Sequence, residues 1–327
     1  MERSRTPLVG WRRLALLVTL LLTVPAFSLT APAFAETVKI VVPFAAGGPI
    51  DQLARLLSPE LAVQLKADVI VDDRGGAGGA IGADFVAHAA PDGNTVLLAS
   101  MGGQVLGPIL KPPTTYDPVK SFEPVMMVAT MPSLLVVNHE LGAGTMKDLI
   151  AKAKAQKLTY GSAGPGTTMN ITVEMLNNAA GVKITHVPYR GAAPAISDLL
   201  GGHVDMLNAD LPVLLPLVKA GTVTPIALFA SERTPLLPDL PTTKELGLPS
   251  VLMESWYGAF LPAGTPAPIR DRLEQALFAV VATPLVKQRF AELGMHGTLG
   301  HEAFAARLKQ DWAKWPETIT KLGITAE

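Results

Sequence analysis

The sequence has no cysteine among its 327 residues, and only 17% of its residues are charged. The missing cysteine excludes disulfide scaffolds, cysteine nucleophiles, thiolate metal sites and a lipid-modified N-terminal cysteine. The 27 basic residues nearly balance the 28 acidic ones. We therefore expect no nucleic-acid partner, which would need a basic surface. A hydrophobic content of 49% excludes a disordered chain, and the length suits two domains.

Motifs of catalysis are also missing. The sequence contains no G-x-S-x-G hydrolase elbow and no Walker phosphate-binding loop. Its six histidines are scattered, and the pair 301–302 (HE) lacks the second histidine of a zinc protease. Gly76, Gly79 and Gly82 follow a predicted strand, but their even spacing misses the dinucleotide-binding fingerprint. We therefore predict no catalytic residue, no metal site and no cofactor.

The first 35 residues have the pattern of a signal peptide. Four arginines precede an apolar stretch at 14–27, and an A-x-A motif ends at Ala35. The stretch is short for a membrane span and contains Pro25, which favours cleavage over the alternative of an uncleaved anchor helix. The segment holds four basic residues and one acidic residue, so cleavage leaves 23 basic and 27 acidic residues, a net charge of −4. We expect the processed chain in the periplasm.

Two series of alternating strands and helices follow, which is typical of an α/β fold with parallel strands. The first series has predicted strands at 38–42, 69–71 and 95–99 and helices at 53–61 and 81–89. Pro59 predicts a kink or a restart in the first of these helices. The second series has predicted helices at 146–155, 168–179 and 194–200 and strands at 158–161, 184–187, 204–207 and 225–229. Extended runs at 126–137 and 255–261 separate the series, and the tail is helical.

A glycine-rich turn between a strand and a helix recurs at 44–51, 162–168 and 189–194. Glycine lets the backbone approach a ligand closely, and the first N–H groups of a helix have no partner inside the helix. With the positive end of the helix dipole, such turns bind anions without a basic side chain. Ordinary strand-to-helix turns use the same residues, so this alternative stays open.

A set of short motifs resembles one known family in order along the whole chain after residue 35. The motifs are PFAAGGPID at 43–51, RGGAGG at 74–79, APDGNT at 90–95, YDPVKSFEPV at 116–125, HVPYRGAAPA at 186–195, LLGGHVD at 199–205, SWYG at 255–258 and PAGTPAPI at 262–269. They resemble the extracytoplasmic solute receptors (Bug-type) of the tripartite tricarboxylate transporter family. Each motif alone is weak, but the ordered set is specific.

The resemblance implies an α/β, two-lobed periplasmic binding protein of type II-like architecture. Each lobe would be a mixed sheet flanked by helices, with the ligand cleft between the lobes. Lobe 1 is expected at 36–137 plus 257–327 and lobe 2 at 138–256. The implied function is capture of a small organic carboxylate, a dicarboxylate or an aromatic acid, and its delivery to the membrane permease subunits of such a transporter. A monomer fits this role.

Two other functions are alternatives to transport. A periplasmic ligand sensor would present its closed form to a signalling partner, and the sequence does not separate this role from transport. An exported enzyme could use the same cleft, but the chain lacks a nucleophile–base pair.

The resemblance and the glycine-rich turns together nominate the ligand-binding residues. They are Phe44, Ala46, Gly47, Gly48, Pro49, Ile50, Asp51, Met101, Gln104, Ser162, Gly164, Thr167, Thr168, Tyr189, Arg190, Gly191, Asp210 and Trp256. For some of them a second interpretation stays open. Asp51 also suits a first-turn helix charge and Arg190 an ion pair within its lobe, while Trp256 suits hinge packing as well as a cleft wall.

Several positions depart from the family pattern. Pro49 and Ile50 stand where a third glycine and a threonine are common, so a backbone donor and a hydroxyl are missing. Gln104 stands where histidine is frequent. Ala209 replaces an acidic residue that meets the ammonium group in amino-acid-binding members, which argues against an amino-acid ligand. Ile50 and two methionines, Met101 and Met169, would make the cleft apolar, so an aromatic or less polar carboxylate is favoured over citrate.

Overall fold

The structure, a computed structural model, describes residue 2 and residues 37–113 and 115–325. Backbone contacts divide the chain into two units, Met1–Ala35 and Glu36–Glu327. The predicted signal peptide falls on the first unit, which lies outside the described residues apart from residue 2. Among the described residues, no helix has both the length and the apolar character that crossing a membrane requires.

Strands and helices alternate along the second unit. The strands are β1 (Thr37–Val42), β2 (Asp68–Asp73), β3 (Thr95–Ser100), β4 (Phe122–Val137), β5 (Thr159–Ser162), β6 (Thr185–Pro188), β7 (Met206–Asp210), β8 (Thr224–Leu228) and β9 (Glu254–Pro262). The α-helices are α1 (Pro49–Leu65), α2 (Ala80–Ala87), α3 (Gly107–Leu110), α4 (Met146–Ala155), α5 (Thr168–Ala180), α6 (Ala192–Leu200), α7 (Leu211–Lys219), α8 (Ala267–Ala282), α9 (Pro284–Leu293) and α10 (His301–Lys321). Two 3₁₀ turns, Ala77–Gly79 and His139–Leu141, and a π-helical turn at Gly102–Leu106 complete the set.

The long strand β4 belongs to two halves of the sheet. Its residues from Phe122 to Pro132 pair antiparallel with β9, and those from Ser133 to Val137 pair antiparallel with β7 and β8. The strand order is β2-β1-β3-β9-β4-β7-β5-β6, with β8 also on β4. In the first half β1 pairs parallel with β2 and β3, and in the second β5 pairs parallel with β6 and β7. The predicted parallel strands and mixed α/β fold are confirmed.

Helix α1 runs unbroken through Pro59, so the restart predicted there does not occur. Proline removes one backbone hydrogen bond from a helix interior. The stripe of Leu53, Leu57, Leu61 and Leu65 is buried against the core and stabilises the helix across this gap. Burial of a leucine contributes about 1.5–3 kcal/mol, so four of them outweigh the proline.

Two other local predictions need correction. The strand predicted at 204–207 is Met206–Asp210, because its last residues pair with Ser133–Val137 of β4. Upstream, Asp205 instead accepts hydrogen bonds from the backbone and hydroxyl of Thr159, at 2.7 and 2.9 Å. The turns at 102–110 were not predicted. The extent of both segments depends on partners distant in the sequence.

Candidate functional site

The glycine-rich turns meet at a small cavity between the two halves of the sheet, which we call the cleft cavity. The first half contributes the turn after β1, the end of β3 and Tyr257 of β9. The second half contributes Ala163, the start of α5, Ala192 and Asp210. The cavity measures about 30 Å³, close to the share of liquid volume that one water occupies.

Four helices point their N-termini at the cleft cavity. The residues that begin or cap α1, α5, α6 and α7 all line it, and these helices have 17, 13, 9 and 9 residues. The first backbone N–H groups of each helix lack partners inside that helix, and the helix dipoles place partial positive charge there. None of the described residues lining the cavity is a lysine or an arginine. Any attraction of this lining for an anion therefore comes from the backbone, and the carboxyl groups of Asp51 and Asp210 in the same lining act against it.

The first turn is held in shape by the carboxylate of Asp51. Its Oδ2 accepts a hydrogen bond from the backbone N–H of Gly47 at 2.7 Å, and its Oδ1 lies 2.6 Å from Nε of Arg55. The same guanidinium reaches Oδ2 of Asp73 at 2.9 Å. Burial and the charge of Asp51 raise the pKa of Asp73. Asp51 is 3% exposed and lines the cavity, so it combines a first-turn helix charge with a place in the wall.

The second turn is held by side chains that bond to its own backbone. The hydroxyl of Thr167 donates to the carbonyl of Gly164 at 2.7 Å and accepts from the N–H of Asn170 at 3.4 Å, which caps α5. Oδ1 of Asn170 accepts from the N–H of Gly166 at 3.0 Å. The hydroxyl of Ser162 accepts from the N–H of Gly164 at 3.0 Å. These bonds fix the turn with its first helical amides towards the cavity.

A buried carboxyl group lies where β4, β7 and β9 meet. The side chain of Asp210 accepts hydrogen bonds from the hydroxyls of Tyr257 and Ser133, the latter at 3.4 Å. Burial raises the pKa of Asp210 to about 7, although both hydrogen bonds act to lower it. Burial and the adjacent Asp210 raise the pKa of Tyr257 well above its ordinary value. Near neutral pH, Asp210 therefore exists both as a neutral acid that can donate a hydrogen bond and as a carboxylate.

The walls of the cleft are in direct contact. The N–H of Ala45 donates to the carbonyl of Arg190 at 3.3 Å, which joins the first turn to the third. A Cβ placed on Gly166 would lie 2.5 Å from Cα of Gly107, closer than real Cβ atoms approach a neighbour. Gly166 also has a φ of +78°, a conformation that favours glycine. The two halves of the sheet therefore touch at these turns, and glycine permits the backbones to approach this far.

Comparison with known proteins decides the family. Residues 53–324 match the family model described as the tripartite tricarboxylate transporter family receptor. The chain belongs to this receptor family. A relative from Agrobacterium vitis, described as a UPF0065 protein in the TAR-I ttuE-ttuC' intergenic region, is 37% identical over 87% of this chain and 83% of its own length.

Solved structures place the receptor among periplasmic binding proteins. BugD, described as a periplasmic binding protein, is 35% identical with a TM-score of 0.85, over 89% of this chain and 99% of its own. MatC from Rhodopseudomonas palustris, solved with malate, is 32% identical with a TM-score of 0.82, over 86% and 98%. An R. palustris protein solved with adipate is 32% identical with a TM-score of 0.85, over 88% and 98%. The Bug-type resemblance and the periplasmic-binding-protein fold are confirmed.

In this receptor, some of the predicted site residues line the cleft cavity. Those that do are Phe44, Gly48, Pro49, Ile50, Asp51, Thr167, Thr168 and Asp210. Others support the turns from behind or beside the cavity, and they are Ala46, Gly47, Ser162, Gly164, Tyr189, Arg190 and Gly191. The turns are thus placed together as predicted, while the binding role of each residue stays a prediction.

Three predicted residues lie away from the cavity, for identifiable reasons. Met101 is 1% exposed and belongs to the hydrophobic cluster on the other side of the sheet. The amide of Gln104 donates to the carbonyl of Pro118 at 3.0 Å, which ties down its own loop. The indole of Trp256 donates to Asp311 at 2.8 Å and packs edge-on against Phe304, so its side chain packs against α10 and does not line the cavity.

Two neighbouring residues of the third turn, Tyr189 and Arg190, differ in how they contribute to it. The side chain of Arg190 is exposed, and what it contributes to the cleft is its carbonyl. The hydroxyl of Tyr189 donates to Asp198 at 2.6 Å, which together with burial raises the pKa of Tyr189 to about 12. The side chain of Tyr189 and the backbone of Arg190 therefore act on the shape of the third turn.

Several wall residues were missing from the sequence-based set. They are Ala45, Ser100, Ala163, Ala192 and Tyr257, whereas Met169, expected from the sequence to make the cleft apolar, also lines the cavity. Ala45, Ala163 and Ala192 lie inside the recognised turns, and a small side chain there allows close approach. Tyr257 follows Trp256 in a strand, so alternation of faces could have directed attention to it. No sequence pattern around Ser100 indicates that it would line the cavity. The described residues contain no cluster of His, Asp and Glu able to hold a metal ion.

Proposed function

We propose that this receptor captures a small organic carboxylate with a largely hydrocarbon body in the cleft cavity, by closing its two lobes, and delivers it to a tripartite tricarboxylate-type membrane transporter. The observation that carries the proposal is the convergence of four helix N-termini on one cavity whose described lining holds no cationic side chain. Such a site suits one carboxylate group, held by backbone N–H donors in a low-dielectric setting.

The remaining wall of the cavity favours an apolar ligand body. Phe44, Ile50 and Met169 line it and are at most 8% exposed. Pro49 supplies no N–H group and Ile50 no hydroxyl, so further oxygens on the ligand would lose their water without gaining partners. Neighbours of known structure carry malate and adipate. Of these two dicarboxylates, adipate has the longer hydrocarbon chain and fits this wall better.

Binding requires lobe movement. The cavity has walls from both halves of the sheet, so we expect the ligand to enter while these walls are apart. Movement within β4, where its partners change between Pro132 and Ser133, and in the segment between β8 and β9 would part the lobes, while the lobe boundaries at residues 137 and 256 stay predictions. The ligand then stabilises the closed arrangement in proportion to its preference for that state.

Calorimetric titration of residues 36–327 with adipate, benzoate, malate and citrate tests the ligand class. We expect adipate or benzoate to bind at least tenfold more tightly than citrate. If citrate binds tightest, the argument from the apolar wall is wrong. If none of the four binds, and none raises the melting temperature at millimolar concentration, the carboxylate proposal itself fails.

Delivery to a transporter needs a separate measurement. Deleting the coding sequence should abolish uptake of the bound carboxylate by cells, and restoring it should recover uptake. Unchanged uptake together with a lost transcriptional response to the ligand would instead support the periplasmic sensor.

A further inference from the structure

A second, larger pocket lies beside the cleft cavity, and we call it the side pocket. It is formed by residues 77–84 and 103–116 of the first half, with Pro165 as a wall from the second half. Its volume of about 570 Å³ lies within the range of small-molecule sites. Ile81, Pro108, Leu110 and Pro112 give it a largely apolar surface.

The side pocket is separate from the cleft cavity. The two linings share no residue. The ring of Phe44 stands between them: it lines the cleft cavity, and its Cζ lies 3.2 Å from where a Cβ on Gly79 would be. A molecule in the side pocket therefore contacts different groups from a carboxylate held at the four helix N-termini.

One polar side chain in the side pocket is buried without a partner. Tyr116 is 8% exposed, packs edge-on against Phe122, and its hydroxyl makes no hydrogen bond to any described residue. A buried hydroxyl without a partner is costly, and native proteins rarely tolerate it without a reason. Burial and the charge of Asp84 raise the pKa of Tyr116 to about 12, so the hydroxyl keeps its proton and can donate.

A carboxylate oxygen in the same pocket also lacks a hydrogen-bond donor. Oδ1 of Asp84 accepts no hydrogen bond from the described residues, although the side chain as a whole is 41% exposed and Nδ1 of His88 lies 3.6 Å from this oxygen. A hydroxyl group on a ligand can accept a hydrogen bond from Tyr116, and a hydroxyl is also able to donate to a carboxylate such as that of Asp84. A ligand carboxylate could only accept, and the charge of Asp84 would oppose it, while Lys111 in the lining is exposed and screened by water.

We propose that the side pocket is a second binding site, for a small apolar molecule that carries one hydroxyl group, such as a phenol. The apolar lining receives the ring, and the hydroxyl accepts the hydrogen bond that Tyr116 otherwise lacks. Pro165 closes one side, because its carbonyl lies 2.8 Å from where a Cβ on Gly78 would be. The site is independent of the carboxylate that the cleft cavity takes.

Amide chemical-shift titration of ¹⁵N-labelled residues 36–327 with phenol, and with toluene as the probe lacking a hydroxyl, tests the proposal. Phenol should shift the amides of 77–84 and 103–116 and leave those of 168–170 unchanged. Tyr116→Phe keeps the ring against Phe122 and should weaken phenol binding about tenfold, with toluene binding unchanged. Toluene should bind the wild-type protein more weakly than phenol.

A pair of surface variants separates pocket filling from loss of folding. Ile81 and Leu285 are 54% and 53% exposed on helices, and only Ile81 lines the side pocket. Ile81→Trp should fill the pocket and abolish the phenol-induced shifts, whereas Leu285→Trp should leave them intact. The proposal is overturned if phenol at 10 mM (roughly the upper limit for a fragment of this size) shifts no amide of the pocket. Equal binding of phenol to Tyr116→Phe, or equal binding of toluene and phenol, overturns it as well.

Discussion

The cleft cavity and the side pocket lie on either side of Phe44 and differ in the origin of their polarity. In the cleft cavity any attraction for an anion comes from the backbone at four helix N-termini. In the side pocket the polar groups are the side chains of Tyr116 and Asp84. The cleft cavity has walls from both halves of the sheet, whereas the side pocket takes a single described residue, Pro165, from the second half. Changes that keep the halves apart should therefore affect the first site far more than the second.

Gly166→Ala should produce the largest difference between the two sites in the change of ligand affinity. Its Cβ would lie 2.5 Å from Cα of Gly107 and would hold the walls apart. We expect adipate affinity to fall at least 100-fold, corresponding to about 2.7 kcal/mol, and phenol affinity to fall by a smaller factor, because Gly107 and Pro165 also line the side pocket. Calorimetry measures the first and amide shifts the second.

Gly181→Ala is the matched control for this variant. Gly181 also has a positive φ, +63°, but a Cβ there would meet nothing within 4 Å. Both substitutions carry the backbone cost of a side chain in the left-handed region, about 1–2 kcal/mol. A similar loss of adipate binding in both variants would show that backbone strain, and not contact between the walls, is responsible.

The next largest effect concerns pH and Asp210. Its pKa in the folded chain is about 7, above the ordinary value of 3.8, so the folded state holds this proton more tightly than the unfolded state. This contribution to stability is complete below about pH 4 and is lost as pH rises through 7, by up to about 4 kcal/mol. Adipate binding should weaken about tenfold between pH 6 and 8, because the ionised carboxylate faces the ligand in the cavity. Phenol binding in the side pocket should not change over this range.

Asp210→Asn removes the titrating group and keeps a hydrogen-bond donor at the same place. Melting temperatures between pH 5 and 8 should then vary less with pH than in the wild type, and the pH dependence of adipate binding should disappear. If the melting temperature and the adipate affinity of the variant depend on pH as strongly as those of the wild type, a group other than Asp210 controls them.

The smallest effect on adipate affinity is expected from removal of a helix cap, and two caps in the chain can be compared. Thr167 caps α5 at the cleft, and Thr145 caps α4 away from it, with its hydroxyl accepting from the N–H of Asp148 at 3.1 Å. Replacing either by alanine should lower the free energy of unfolding by about 0.5–2 kcal/mol, measured by urea titration. Thr167→Ala alone should also weaken adipate, by about threefold, because the second turn loses its tie to Gly164. Equal affinities in both variants would contradict a binding role for this turn.

Local patterns predicted the elements best where neighbouring residues determine them. The helix predicted at 146–155 is Met146–Ala155, and the one predicted at 168–179 is Thr168–Ala180. Both begin at a threonine cap, and a cap acts within its own turn of helix. The three glycine-rich turns were found in the same way.

Local sequence patterns do not predict contacts between segments that are distant in the chain. Ser133, Asp210 and Tyr257 come from three strands, and only the pairing of β4 with β7 and β9 brings them together. Gln104 and Trp256 were expected in the cleft, yet their hydrogen bonds to Pro118 and Asp311 direct them elsewhere. Each of these partners lies 14 or more residues away, and the packing of the sheet selects it.

The sequence by itself determined the α/β elements, the three glycine-rich turns and the family, because these depend on short-range spacing and on motifs that occur in a fixed order. The tertiary structure alone decided which turns face one another, that α7 adds a fourth N-terminus with Asp210 as its cap, and that Tyr116 and Asp84 share one pocket. The physical reason is that burial depends on every segment that surrounds a group. Burial is also what raises the pKa of Asp210 and leaves the hydroxyl of Tyr116 without a hydrogen bond to any described residue.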